Sequence, residues 1–366
     1  MNFKFFVPTK VFQGENCVSE NKSVFEEYGN RALVVTGKTS AVSSGALNDV
    51  IKVLDEAGIE HKIYDGVQNN PTLENVKEGG EAAYEFGADF VVGIGGGSPL
   101  DAAKAIAVLA VNDIKPLELF KSTFKKKPIP IIAIPTTAGT GSEVTPYSIL
   151  TRKDMQTKMS FGNEELFPKV AFLDARYTES LPGNVAVNTA IDALSHAVEG
   201  YLSKRSMHIS DVLALASIEV FGDCLTSIKE NRLDFDTREK LLYASMLAGM
   251  VIAHTGTTIV HGMGYSLTYF RDIPHGEANG MLMAEYLRYN YGIMQEKIEN
   301  ILKLLRIKDI DEFEAVIRAL INRKINVSEE ELELYASLAM KQRSTSYNAR
   351  EVLQEDLVSI MRKSLR

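Results

Sequence analysis

A carboxylate and an imidazole stand four residues apart in the segment NTAIDALSHAVEGYL, as Asp192 and His196. The apolar spacing of this segment predicts a helix, and residues four apart project from one helix face about a turn apart. The two side chains can therefore chelate one cation, although Asp–His pairs at this spacing also form simple hydrogen bonds. The apolar neighbours indicate a largely buried helix, and a buried ionisable pair needs a further partner.

Three of the six histidines, His254, His261 and His275, fall in one later stretch and are the candidate partners. Imidazoles with one carboxylate and no thiolate suit Fe(II), Zn(II), Co(II) or Ni(II) better than Mg(II) or Ca(II). These residue types do not separate iron from zinc. A hydrogen-bonded core histidine is the alternative for any single residue, but four candidates together favour a metal site. His61 and His208 are interpreted as exposed or capping residues.

Two loops rich in glycine or hydroxyl groups each follow an apolar run. GIGGGSPLDAAK, residues 93–104, follows a predicted strand and opens a predicted helix, where backbone N–H groups can hold a phosphate. PTTAGTGSE, residues 135–143, offers hydroxyls to a phosphate or a ribose. Tight or polar turns are the alternatives. Two such loops at strand ends favour ligand binding, because ligands collect at the carboxyl ends of parallel strands.

The elements that must position these residues alternate from residue 31 onward. Short β-branched runs and longer amphipathic segments follow one another as RALVVTG, SSGALNDVIKVLDEAG, HKIYDGV, LENVKEGGEAAYEFG, DFVVGIGGGS and PLDAAKAIAVLAV. This β-α-β-α-β-α order predicts a doubly wound, mostly parallel sheet with helical crossovers. PIPIIAI and VAFLD add strands, and YSILT with the polar tract after it predicts a β-excursion.

After Pro182 the apolar residues recur with helical spacing and few strand-like runs remain. The sequence therefore predicts an all-helical second domain. We place the boundary near residue 178, which gives an α/β domain over residues 1–178 and an all-α domain over residues 179–366.

Composition excludes several classes of function. The 366 residues are 45% hydrophobic and 24% charged, as in soluble globular proteins, and a net charge of −8 disfavours nucleic-acid binding. The basic run at residues 125–127 is interpreted as a solvated turn. Cys17 and Cys224 lack a disulfide or zinc spacing and favour a reducing cytoplasm. No signal-peptide pattern or bilayer-spanning stretch is visible, so we expect a soluble protein without a membrane partner.

Four motifs, GGGSPLDAAK, IPTTAGTGSEVT, DALSHAVEGYLS and HGMGYSLTYFRDIPHG, together resemble the iron-containing (group III) alcohol dehydrogenases of the dehydroquinate synthase-like superfamily. The resemblance covers nearly the whole chain. It implies an N-terminal dinucleotide-binding domain, a C-terminal helical metal domain and an active site in the cleft between them. The implied activity is that of a metal-dependent NAD(P)(H) alcohol dehydrogenase or aldehyde reductase acting on small primary alcohols or aldehydes, with the metal as a Lewis acid for hydride transfer.

The resemblance also implies the site residues. The ligands of Fe2+, or alternatively Zn2+, fall on Asp192, His196, His261 and His275. The pyrophosphate loop falls on Gly95, Gly96, Gly97, Ser98 and Asp101. Further dinucleotide contacts fall on Asn70, Thr136, Thr137, Thr145, Tyr147 and Lys158.

Two residues depart from the family pattern. Gly37 stands where many NAD-using members carry an aspartate that bonds the adenosine ribose. Without that carboxylate to repel a 2′-phosphate, and with donors from Lys38, Thr39 and Ser40, we expect NADP(H) to be preferred, with NAD as the alternative. Tyr265 replaces a histidine that is proposed to relay a proton in several relatives, and tyrosine is a poorer shuttle near neutral pH.

Other interpretations stay open. The same fold serves zinc polyol (glycerol-like) dehydrogenases and a lyase-type synthase, and a non-catalytic dinucleotide- or metal-sensing homologue would also keep it. His254 is seven residues before His261 and can support the site from behind, but a hydrogen-bonded core histidine is favoured. The resemblance implies a homodimer, for which FKFFVPTKVFQG supplies an edge strand.

Overall fold

The protein, described here over residues 3–365 by a computed structural model, consists of two units. One unit, the α/β unit, spans Val7–Pro182. The other, the helical unit, comprises residues 3–6 and 183–365 of the described part of the chain. A parallel sheet in the first and helices throughout the second confirm the predicted fold class.

Strands and helices alternate along the α/β unit. Its strands are β1 Lys10–Gln13, β2 Arg31–Thr36, β3 Glu60–Tyr64, β4 Phe90–Gly95, β5 Ile131–Pro135, β6 Tyr147–Arg152, β7 Thr157–Gly162 and β8 Val170–Leu173. Its α-helices are α1 Cys17–Glu20, α2 Ser23–Glu26, α3 Ser40–Ser43, α4 Ala46–Glu56, α5 Leu73–Phe86 and α6 Gly97–Leu109.

Six strands form one sheet in the order β1-β8-β5-β4-β2-β3, with every neighbouring pair parallel. The strands β6 and β7 form the predicted excursion as a separate antiparallel hairpin. From β2 the chain runs outward to β3 and then returns to the other side of β2 as β4. This reversal places a topological switch point at the carboxyl ends of β2 and β4, where doubly wound sheets bind their ligands.

The sheet is buried on both faces. Because successive side chains of a strand point to opposite faces, Val34 packs in one core with Val50 of α4, whereas Leu33 packs in the other core with Val76 of α5 and Ile106 of α6. Burying each such side chain contributes about 1.5–3 kcal/mol. Strands covered on both sides read as continuous apolar runs, and for that reason the parallel sheet could be predicted from sequence.

The helical unit contains eight α-helices among its described residues. They are α7 Gly183–Leu202, α8 His208–Lys229, α9 Phe235–Thr255, α10 Ile259–Arg271, α11 His275–Leu304, α12 Ile310–Ile321, α13 Glu329–Met340 and α14 Gln354–Ser364. The long helix α11 is interrupted at Met294, whose φ of −127° and ψ of 26° are not helical.

Helix α7 is the centre of the helical unit, where it packs against α8, α9 and α11. Almost every residue from Ala186 to Leu202 is buried, so the helix is enclosed on all sides. Its small residues permit this packing, since a Cβ added at Gly200 would lie 2.3 Å from Cγ1 of Val251 on α9.

Phe5 and Phe6, which precede the α/β unit, dock on α9. The ring of Phe5 stacks on the imidazole of His254, with centroids 4.3 Å apart. The N–H of Phe6 donates to His254 Nε2 at 2.9 Å, and His254 Nδ1 lies 2.8 Å from the carbonyl oxygen of Met250. Since Nε2 accepts and Nδ1 must donate, the imidazole is neutral with both nitrogens bonded. His254 is the hydrogen-bonded histidine that the sequence favoured.

The two cysteines are free and buried in the structure. Burial raises the pKa of the Cys17 thiol to about 12 and that of Cys224 to about 11. Within residues 3–365, no one helix has the length and apolar character that crossing a bilayer requires, although α9 and α10, bent by 110°, meet that requirement as a pair.

Candidate metal centre and dinucleotide-binding loops

The four predicted metal ligands come from three helices of the helical unit. Asp192 and His196 lie one turn apart on α7, His261 lies in the first turn of α10, and His275 is the first residue of α11. Helix α11 packs on both α7 and α10. The fold therefore brings residues more than 80 positions apart in sequence into one cluster.

Three donor atoms converge in this cluster. Asp192 Oδ1 lies 3.8 Å from His261 Nε2 and 3.9 Å from His275 Nε2, and one donor atom from each residue lies within 4.8 Å of the others. Two atoms that each bind a cation at about 2.1 Å can be at most about 4.2 Å apart. One ion can therefore contact Asp192 together with either imidazole nitrogen.

His196 flanks these three donors. Its ring is nearly parallel to that of His261, with centroids 4.6 Å apart, while the His261 and His275 centroids are 5.0 Å apart. Asp192, His196 and His261 are buried, whereas His275 is partly exposed. His275 is therefore the one member of the four with a solvent-accessible side.

Asn279 was not singled out by the sequence analysis, yet its amide lies among the converging donors. Nδ2 is 3.0 Å from Asp192 Oδ1, 3.2 Å from His261 Nε2 and 3.3 Å from His275 Nε2. A single NH2 group within hydrogen-bond distance of all three atoms shows that they surround one small space. The donor set thus fits a divalent cation. The sequence did contain a signal for Asn279, because it follows the predicted ligand His275 by four residues and so lies on the same helix face.

Glu199 was also missed, and its fully buried carboxylate supports His261 from behind. Oε1 accepts from Thr258 N at 2.8 Å, Thr258 Oγ1 at 2.7 Å and Val260 N at 3.0 Å, and Oε2 is bonded to His261 Nδ1. Burial alone would raise the pKa of Glu199, but the facing His261 ring and the Thr258 donors outweigh it and lower the pKa. Glu199 follows His196 by three residues, so it shares that helix face.

The start of α11 is fixed against α7 at Gly276. A Cβ added there would lie 1.8 Å from the carbonyl oxygen of Asn188 and 3.3 Å from the nitrogen of Asp192. Only glycine permits this approach, which carries the adjacent His275 to Asp192. Thr268 Oγ1 lies 3.5 Å from His275 Nδ1, and the Tyr265 ring stacks on the His275 ring with centroids 5.3 Å apart.

The two predicted phosphate loops touch each other in the α/β unit. Gly95 ends β4 with a φ of 146°, which favours glycine, and α6 begins at Gly97. A Cβ added at Gly96 would lie 3.2 Å from Thr137 Cγ2, and one at Gly97 would lie 2.6 Å from Thr140 Cγ2. The backbone of the first loop therefore lies directly against the second loop at the switch-point end of the sheet.

Several other predicted contacts adjoin this region. The N–H of Asn70 donates to Ser98 Oγ at 3.2 Å, and Thr151 Oγ1 donates to the Asn70 carbonyl oxygen at 2.9 Å. Lys158 on β7 is paired in register with Thr151 on β6. Thr136 is fully buried, and its N–H donates to the carbonyl oxygen of Gly95 at 2.9 Å.

A buried polar cluster joins the two loops. Three residues predicted to contact the dinucleotide, Asp101, Thr145 and Tyr147, form hydrogen bonds to other protein groups in this cluster. The fully buried Lys104 donates to Ser142 Oγ at 2.7 Å, Thr145 Oγ1 at 3.3 Å and the Tyr147 carbonyl oxygen at 2.6 Å. Asp101 accepts from Ser142 Oγ at 2.6 Å. Burial raises the pKa of Asp101 and lowers that of Lys104 to about 8. This cluster joins α6 to the second loop.

The residues expected to select the dinucleotide follow β2. A Cβ at Gly37 would meet only the Val67 carbonyl oxygen, at 3.4 Å, so the position has room for a side chain. Lys38 Nζ lies 2.8 Å from Asp65 Oδ1 in an exposed ion pair, and Ser40 begins α3.

Comparison with known proteins identifies the family. The model of the iron-containing alcohol dehydrogenases matches residues 8–175, and that of the C-terminal region of the same family matches residues 186–365. The chain belongs to the iron-containing alcohol dehydrogenase family. Members of this family are metal-dependent NAD(P)(H) alcohol dehydrogenases and aldehyde reductases, and this chain is one of them.

Relatives match this iron-containing alcohol dehydrogenase over most of their length. Lactaldehyde reductase of Escherichia coli strain K12 is 34% identical over 90% of this chain and 91% of that protein. NADPH-dependent butanol dehydrogenase of Clostridium saccharobutylicum is 31% identical over 82% of this chain and 77% of that protein. The crystal structure of an iron-containing alcohol dehydrogenase from Thermotoga maritima superposes with a TM-score of 0.93 at 39% identity, covering 100% of this chain and 99% of the other.

Proposed function

We propose that the protein interconverts short primary alcohols and aldehydes with NADP(H), at a divalent cation held by Asp192, His196, His261 and His275. The observation that carries this proposal is the convergence of Asp192 Oδ1, His261 Nε2 and His275 Nε2 within 4.8 Å of one another in a buried cluster. Names of similar proteins support the substrate class, since lactaldehyde, alcohols and butanol are small molecules.

A divalent cation in this site supplies Lewis acidity to an alcohol or carbonyl oxygen. The chain's own residues make the site selective and rigid. Asp192 contributes the one negative charge among the four donors, and His275 leaves one side partly exposed for a substrate. Tyr265, only 8% exposed, covers a face of the His275 ring and so limits the access of water.

For the dinucleotide, we propose that the N-terminus of α6 with Gly96, Gly97 and Ser98 binds the pyrophosphate. Support comes from the two touching loops at the topological switch point. The remaining contacts proposed from the resemblance lie around these loops, at Gly95, Asn70, Thr136, Thr137, Tyr147 and Lys158. Asp101 and Thr145 direct hydrogen-bonding groups to Ser142 and Lys104, so we propose that they position the second loop.

Preference for NADP(H) is proposed from the end of β2. Gly37 presents no carboxylate to a 2′-phosphate, and the Lys38 ammonium is exposed nearby with the Ser40 hydroxyl following. The ion pair of Lys38 with Asp65 is exposed on both sides, and such pairs are worth about 0–1 kcal/mol. The ammonium can therefore turn to a phosphate at little cost. NADPH in the name of a similar butanol dehydrogenase supports the same choice.

The test measures metal content and cofactor use together. Protein prepared anaerobically is stripped of metal, reloaded with Fe2+ or Zn2+, and assayed with NADPH and NADH on a series of short aldehydes. We expect activity only after reloading and a higher kcat/KM with NADPH. His275→Ala should lose turnover while still binding the dinucleotide. Undiminished aldehyde reduction by metal-stripped His275→Ala would show that the assignment is wrong.

We further propose a homodimer formed through β1. Among the described residues this strand pairs with β8 alone, so its other edge carries unpaired backbone groups that a second copy can bond. Light scattering coupled to gel filtration measures the molar mass in solution. A dimeric mass is expected, and a monomeric mass at micromolar concentration would contradict the proposal.

A further inference from the structure

We infer that Glu199 is a positioning residue that fixes the tautomer of His261 and thereby makes His261 Nε2 available to a cation. The inference rests on the proposed metal site. It goes beyond that site because Glu199 lies on the far side of the imidazole from Asp192, and its bonds are made to His261 and to the start of α10.

One carboxylate oxygen of Glu199 is held by donors that cannot reverse their role. Oε1 accepts from the backbone N–H groups of Thr258, Val260 and His261, at 2.8, 3.0 and 3.4 Å, and from Thr258 Oγ1. Backbone N–H groups at a helix start only donate, and they favour a negative charge. The atom at this position must therefore be an acceptor.

The second oxygen then dictates the protonation of the imidazole. Oε2 faces His261 Nδ1, and a carboxylate only accepts, so Nδ1 carries the hydrogen. Asn279 Nδ2 donates to the Asp192 carboxylate at 3.0 Å, so the NH2 end of that amide also faces His261 Nε2, at 3.2 Å, and Nε2 accepts with its lone pair. This tautomer alone can coordinate a metal through Nε2, and a carboxylate on Nδ1 also makes the imidazole a better ligand.

Replacing Glu199 by glutamine changes the group that faces His261 Nδ1 from an acceptor to a donor, with almost no change in the shape of the side chain. The donors of α10 would select the amide oxygen at the Oε1 position, which turns the amide NH2 toward His261 Nδ1. An NH2 group donates, so Nδ1 would have to accept and the hydrogen would move to Nε2, where it blocks coordination. The reverse orientation of the amide would set its NH2 against three backbone N–H groups, which is less favourable.

A matched control is available in the same unit. Glu277 on α11 is also buried, at 6% exposure, but its carboxylate accepts from Asn188 Nδ2 at 2.8 Å and from Arg323 Nε at 2.5 Å. Glu277→Gln makes the same chemical change close to the cluster without touching the His261 ring. It reports the cost of losing a buried charge without a change of tautomer.

The experiment measures Zn2+ affinity by competition with a chromophoric chelator, and the His261 tautomer by NMR of 15N-histidine-labelled protein. In Glu199→Gln we expect affinity to fall by about 10–100-fold, and the protonated nitrogen to change from Nδ1 to Nε2. Glu277→Gln should stay within about threefold of wild type. Glu199→Asp keeps an acceptor-only group and should keep the Nδ1–H tautomer, which provides a test if the glutamine variant does not fold.

The outcomes separate this inference from the proposed function. If wild-type protein binds no Zn2+ at these residues, the metal site itself fails. If wild type binds but Glu199→Gln binds equally well, or both glutamine variants weaken equally, the positioning role is overturned. An Nε2–H tautomer in the wild-type or Glu199→Asp protein would overturn it as well.

Discussion

The substitution Gly276→Ala tests whether the contact between α11 and α7 sets the geometry of the metal centre. A Cβ at this position would lie 1.8 Å from the Asn188 carbonyl oxygen, and real Cβ atoms essentially never come closer than 3.0 Å to such an atom. The backbones must therefore separate by about 1.2 Å, the difference between these distances. His275, the preceding residue, must move with the start of α11.

A displacement of this size is large for metal coordination. Ligand distances in metal sites hold within about 0.2 Å, so a shift near 1.2 Å removes His275 Nε2 from any ion that Asp192 and His261 share. We expect cation affinity to fall by at least about 100-fold, equivalent to about 2.7 kcal/mol. Overpacking should also destabilise the helical unit by about 1–3 kcal/mol.

Gly292 on the same helix provides the control, because a Cβ added there meets nothing within 4 Å. Gly292→Ala should leave cation affinity unchanged and stabilise the helix by up to about 1 kcal/mol. Both variants are compared with wild type by chelator competition and by denaturant unfolding of metal-free protein. A folded Gly276→Ala protein that binds Zn2+ as tightly as wild type would refute the reasoning.

Three further predictions concern separate parts of the chain. Gly37→Asp, for which the backbone leaves room, should raise KM for NADPH by about tenfold or more while sparing NADH; equal effects on the two cofactors would count against the proposed preference. Lys104→Met leaves the buried Asp101 carboxylate without its cation and should cost about 3–5 kcal/mol in denaturant unfolding, and an unchanged midpoint would contradict this. Burial lowers the pKa of His254 from 6.5, so the folded state prefers the neutral ring; its contribution to stability is complete above pH 6.5 and is lost as the pH falls toward the lower native value. The amide protection factors of Phe5 and Phe6, taken relative to the intrinsic exchange rate at each pH, should therefore fall below pH 6.5, and His254→Gln should abolish that pH dependence.

The parallel sheet could be predicted because its strands are buried on both faces and alternate with amphipathic helices. The order of the strands could not, because pairing across the sheet depends on contacts distant in sequence. Strand β1, Lys10–Gln13, pairs with β8 at Val170–Leu173. None of its four residues is buried, and the family resemblance suggested an edge strand in this segment without indicating its partner.

The part of the site that lies on a single helix could be predicted from the sequence. Asp192 and His196 share a face of α7 at a spacing of four, which is a local signal. Glu199 and Asn279 lie at helical spacings from predicted ligands, but their roles depend on how α7, α10 and α11 pack. The donors that hold Glu199 come from Thr258 and Val260, and no local pattern reveals that a helix begins against its carboxylate.

The two buried carboxylates of the cluster are stabilised in different ways, and this difference links metal binding to folding. Glu199 receives donors from the start of α10 and from His261, so its charge is compensated within the protein. Asp192 Oδ1 instead accepts from the Asn279 amide at 3.0 Å and lies 3.8 Å from His261 Nε2 and 3.9 Å from His275 Nε2.

The Asn279 amide lies within 3.3 Å of all three atoms, and its two hydrogens cannot be donated to three atoms at once. A divalent cation bound by all three would not meet this limit, and its binding free energy would add to the stability of the folded helical unit. Added Zn2+ should therefore raise the unfolding midpoint of wild type and of Gly292→Ala more than that of Gly276→Ala at the same Zn2+ concentration. An equal metal-dependent rise in all three proteins would locate the stabilising site elsewhere.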